Sequence, residues 1–205
     1  MNPGTGMTER RAQWRRVHST AACCFCVLAL VAGASALGQD FIGAQRIGGS
    51  GNDGAQVMTV DPGGALWIVG TFTDEIDVDP GQGTHILTSA IPSGGGGFIL
   101  RLNPDGSFAW AGQIDGWPLF FSSIVVATDG SIAVAGTFDR TADFDPGSGV
   151  FSMTPPSSNG MNQAFVLRLS STGDFLWAGQ IGGVGGDGVT GLAAAGEGSL
   201  IVGGY

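Results

Sequence analysis

The chain has 205 residues, eight arginines and no lysine against 17 acidic residues, and a net charge of −9. Thirty-eight glycines beside 43% apolar residues describe a chain with many turns that still buries a core. The acidic balance argues against a nucleic-acid partner, because binding phosphate takes a clustered basic surface.

In chain order, residues 1–38 read as a signal peptide. Arg10, Arg11, Arg15 and Arg16 form a basic head, and an apolar run over 21–36 ends in small residues suited to cleavage after Ala36 or Gly38. That run falls short of the ~20 residues that span a bilayer, so export with cleavage is predicted rather than anchoring. The expected location is secreted, periplasmic or cell-surface, with no transmembrane segment in the mature chain. Cys23, Cys24 and Cys26 all lie in this run, so the rest of the chain has no disulfide and no thiolate chemistry. Residues 39–205 carry four arginines and 16 acids, a net charge of −12.

The remainder repeats itself. FILRLNPDGSFAWAGQI at 98–114 returns as FVLRLSSTGDFLWAGQI at 165–181, a step of 67 residues with 11 of 17 positions identical. Repeat 1 covers about 48–114, repeat 2 about 115–181, and a partial repeat 3 runs over 182–205. A period of this length is the mark of tandem structural units. Within repeat 1, apolar alternation and turn signals predict strand a at about 55–60, b at 65–72, c at 97–102 and d at 107–114. Asp61-Pro62-Gly63-Gly64 and Asn103-Pro104-Asp105-Gly106 supply the tight turns between them. The longer stretch EIDVDPGQGTHILTS between b and c is expected to form a small extra hairpin turning at Pro80-Gly81. Tyr205 aligns with Phe72 and Phe138. Residues 40–47 align with strand d, as a lone outer strand that would complete the last sheet of a ring.

Four antiparallel strands per tandem repeat predict an all-β fold of β-propeller-type blades. The TGTF-like strand, the DFDPG turn, the FVLRL strand and the WAGQIGG ending resemble the tandem β-propeller repeats of exported bacterial proteins. That resemblance covers the whole mature chain and implies a scaffold without assigning catalytic residues. Propellers close with ~4–8 blades, so about two and a half repeats are expected to form an incomplete ring, a fragment of a larger one.

Candidate chemistry is sparse. Gly49–Gly54 and Gly183–Gly188 match a dinucleotide fingerprint, but a strand rather than a helix is predicted after each, so both read as connections between repeats. Asp77, Asp79, Asp143 and Asp145, in two Asp-x-Asp-Pro-Gly turns, are the candidate ligands for calcium, which takes several carboxylate and carbonyl oxygens; Asp139 adds a third carboxylate in repeat 2. Competing with that reading are a plain turn, or ion pairs to Arg101 and Arg168, which recur in phase. His85, the only histidine after residue 38, is expected on an exposed strand and does not support a nucleophile–base site. Where the other repeats are Gly-rich, repeat 2 reads Asp115-Gly116-Trp117-Pro118-Leu119-Phe120-Phe121. Trp117, Phe120 and Phe121 are the candidate anchors for a protein or glycan partner. The function expected is a non-catalytic surface or secreted interaction scaffold. The alternative is a piece of a carbohydrate-active propeller hydrolase or lyase, with its active site in other blades.

Overall fold

Period-two alternation sets every main strand, and the computed structural model describes residues 44–91, 94–156 and 160–205. The signal-peptide reading of 1–38, the three cysteines and the first half of the lone strand at 40–47 lie outside the described residues. In repeat 1, β1 (Gly54–Val60) and β2 (Leu66–Thr73) are followed by the inserted hairpin β3 (Glu75–Asp77) and β4 (Ile86–Thr88), then by β5 (Gly95–Leu102) and β6 (Phe108–Ile114). Repeat 2 copies this with β7 (Leu119–Val126), β8 (Ile132–Phe138), the insert β9 (Ala142–Asp143) and β10 (Ser152–Met153), β11 (Gln163–Leu169) and β12 (Phe175–Ile181). The third repeat gives β13 (Val189–Ala194) and β14 (Leu200–Gly204).

The fold is all-β. Sheet 1 has the order β1-β2-β5-β6, sheet 2 the order β7-β8-β11-β12, and every pairing is antiparallel. Both inserts pair as separate two-stranded hairpins, and β13 pairs with β14. The described sheets form no closed ring. A bulge interrupts each first strand, after Ala55, Phe121 and Val189. There the partner strand presents Gly70, Gly136 or Gly204, whose missing Cβ would collide with the carbonyl oxygen of Gly54, Phe120 or Gly188. Gly188 and Tyr205 exchange two backbone hydrogen bonds of 3.0 Å, in the register of Gly54 with Thr71 and Phe120 with Thr137. Tyr205 therefore stands at the position of Thr71 and Thr137, one residue earlier than the sequence alignment expects.

The two faces of each sheet belong to different cores. The front of sheet 1 buries Ile68, Phe98, Leu100 and Leu102 with Ile76 and Val78 of its insert. Its back, with Trp67, Val69, Ile99 and Ile114, shares one core with the front of sheet 2, namely Ile132, Val134, Phe165, Leu167 and Leu169. The back of sheet 2, with Ala135, Ala164 and Val166, packs against Val189, Leu192 and Leu200. Sheets therefore stack front to back, and burial of these side chains supplies the main stabilising term, about 1.5–3 kcal/mol for each large one.

The candidate loop face

At one end of the stack, the inserts meet the connections between repeats. Asp115, just after β6, exchanges backbone hydrogen bonds with Asp143 of the next insert (3.2 and 2.7 Å), and Gly48 donates to the Asp77 carbonyl at 3.0 Å. Each insert is thereby tied to the connection that leads into its own sheet. The Gly-rich loops are held the same way. Asp53 Oδ2 accepts from Gly49 N–H at 2.6 Å, Asn52 N–H donates to Thr73 Oγ1 at 2.7 Å, and Asp187 Oδ2 accepts from Gly183 N–H at 2.9 Å. Gly54 opens β1 and Gly188 leads into β13, so neither fingerprint precedes a helix.

The four candidate calcium ligands organise the inserts. Asp77 Oδ1 accepts from the N–H groups of Asp79 (3.1 Å) and His85 (2.9 Å), and Asp79 Oδ1 accepts from Gly81 at 2.8 Å. Asp143 and Asp145 repeat the pattern with Asp145, Phe151 and Gly147 at 3.1, 2.7 and 2.8 Å. Consecutive Asx turns follow, with proline setting the backbone between the second aspartate and its glycine. Among the described residues no three histidine, cysteine or acidic side chains gather as a metal cluster. His85 lies on the insert rather than on an exposed strand. It stacks on Phe108 at 4.7 Å, as Phe151 packs on Phe175 at 5.0 Å.

The recurring arginines are placed elsewhere. Arg101 reaches Asp61 at 3.6 Å and Arg168 reaches Asp129 at 2.9 Å, both in the tight turns before β2 and β8. They do not pair with the Asp-x-Asp-Pro-Gly turns, because β5 and β11 carry them towards the strand end where those tight turns lie. Arg168 also bonds Ser131 Oγ at 2.8 Å and the Gly198 carbonyl of the third repeat. Arg101 has Ala65 where Arg168 has Ser131, and its buried Nε has no partner among the described residues.

The three aromatic candidates separate. Phe121 is buried, 5.8 Å edge-on from Phe165, and faces Gly97 of sheet 1, where a Cβ would lie 2.5 Å from its ring. It is a core residue and not a partner anchor. The repeat alternates sizes at this place, with Val189 in the core that holds Ala164, the counterpart of Gly97. Trp117 is half-buried, with its ring over Gly95. Phe120 remains 55% exposed.

Among the described residues no helix is long and apolar enough to cross a membrane. No family model matches the chain, and no curated protein matches it.

Proposed function

We propose that this protein is an exported, non-catalytic interaction scaffold of propeller type, and that it binds a protein or glycan partner through the end formed by inserts and inter-repeat connections. One observation carries the reading. Repeat 2 replaces a Gly-rich connection with an aromatic segment that leaves Trp117 half-buried just before β7 and Phe120 exposed at the start of β7, where the connection enters a rigid sheet. An exposed aromatic ring supplies stacking area for a sugar or an apolar side chain. The basic head and apolar run before residue 38 support export.

A glycan array tests the binding surface, with wild type compared with Phe120→Ala and Trp117→Ala. Binding is expected to fall at least tenfold for Phe120→Ala while the melting temperature stays within about one degree of wild type. Glycan binding that both variants retain would remove the aromatic segment from the reading. The inserts are the place for any calcium, and a calcium-dependent rise in melting temperature that Asp77→Asn with Asp143→Asn abolishes would assign it.

A further inference from the structure

Sheet 1 shows how the back of an outer strand is covered in this repeat. The indole of Trp110 on β6 lies against Gly173, in the turn joining β11 to β12, where a Cβ would sit 2.5 Å from the ring. At Gly112 a Cβ would meet Pro146 of the next insert at 2.6 Å, and Ile114 is fully buried. Thus the outer strand of one sheet is covered by the outer hairpin and insert of the following sheet.

Among the described residues, the same surface of sheet 2 is left bare. Trp177, Gly179 and Ile181 on β12 are the counterparts of Trp110, Gly112 and Ile114. Trp177 is 41% and Ile181 45% exposed, and among the described residues nothing lies within 4 Å of a Cβ placed on Gly179. β13 and β14 cover only the inner part of this face, over Ala135, Ala164 and Val166. Moreover, β14 pairs only with β13 among the described residues, whereas β2 and β8 pair on their other edges with β5 and β11. An open strand edge and a bare apolar strip therefore adjoin, and one element of known shape fits both.

We propose that the outer edge of β14 and the back of β12 form one docking site for a β-hairpin of this repeat's own outer type. One hairpin strand would pair with β14, and its turn glycine would lie on Trp177 as Gly173 lies on Trp110. The observed seat of β11–β12 on β6 is the template, and Arg168, through its bond to Gly198, already fixes the third repeat against sheet 2. The inference rests on this packing between sheets and not on the loop-face reading.

The test uses the full chain and a synthetic peptide of residues 95–115 with Trp110→Phe, so that the protein's own tryptophans report. Saturable binding is expected, with a blue shift of tryptophan emission and slower hydrogen exchange at Leu200–Gly204. Gly179→Val fills open space, so it should leave the melting temperature unchanged and weaken the peptide at least tenfold by blocking the site. Trp177→Ser is the second variant, with the same expected loss. If the chain self-associates and the peptide disperses it, a second copy supplies the hairpin. Binding no tighter than that of a scrambled peptide, unaltered exchange in β14, or full affinity in folded Gly179→Val would overturn the proposal.

Discussion

Phe120 and Phe121 are neighbours in sequence and opposites in energy. Truncating the buried Phe121 leaves a cavity beside Phe165 and Gly97, so Phe121→Ala should cost about 3–5 kcal/mol in chemical denaturation. Phe120→Ala, at an exposed position, should change stability by less than about 0.5 kcal/mol. The arginine pair gives a second contrast. Ser131 gives Arg168 Nε an acceptor at 2.8 Å, whereas Arg101 has Ala65 at the equivalent position and its buried Nε has no acceptor among the described residues. Ala65→Ser should therefore stabilise by about 1 kcal/mol, and Ser131→Ala should destabilise by a similar amount, both read from the denaturant midpoint. Which aromatic is core was not legible from the sequence. In the sequence all three read as one loop segment, whereas β7 begins at Leu119 and the bulge after Phe121 decides which ring turns inward.

At the scale of elements, the tight turns and the inserts divide two tasks between similar acids. Asp105, Asp129 and Asp174 lie in tight turns, and each is held below its ordinary pKa of 3.8. The leading cause is a hydroxyl donor in the same turn, Ser107 for Asp105, Ser131 for Asp129 and Thr172 for Asp174. A lowered folded-state pKa stabilises the fold in full above 3.8 and is lost as pH falls through the still lower folded values. Melting temperature should accordingly drop below pH 3.8, and replacing all three with Asn should flatten that part of the profile. The turn glycines differ by what they meet. Gly173 has φ +97° and faces the rigid Trp110 indole, whereas Gly106, at φ +84°, faces the end of the flexible Gln45. Gly173→Ala should thus lose more stability than Gly106→Ala, by about 1–3 kcal/mol for the added clash. Strand limits in repeat 1 were legible to within two residues, as was the extra hairpin, because alternation and Gly-rich turns are local signals. The partners of Arg101 and Arg168 were not, since recurrence in phase gives a spacing and no direction.

Over the whole molecule, stacking front to back leaves unlike surfaces at the two ends. Met58 and Val60 on β1 are 48% and 60% exposed, while Ile124 on β7, the counterpart of Met58, is 8% exposed beneath sheet 1. At the other end lie the bare strip of β12 and the open edge of β14. Light scattering after size exclusion should show mass above the 20.7 kDa chain that grows with concentration. A sharp peak of single-chain mass at every concentration would count against open ends that recruit other chains. The 67-residue recurrence and its period-two alternation by themselves determined the all-β class, four strands per repeat, and the sites of insertion. Those features depend on backbone geometry and hydrophobic burial, which act along the chain. Only the tertiary structure decided that Phe121 is core, that Asp77 and Asp143 spend an oxygen on backbone N–H groups, and that Trp110 is covered where Trp177 is bare. Each of these depends on what the neighbouring sheet brings to the same place, and identical residues in two repeats meet different neighbours.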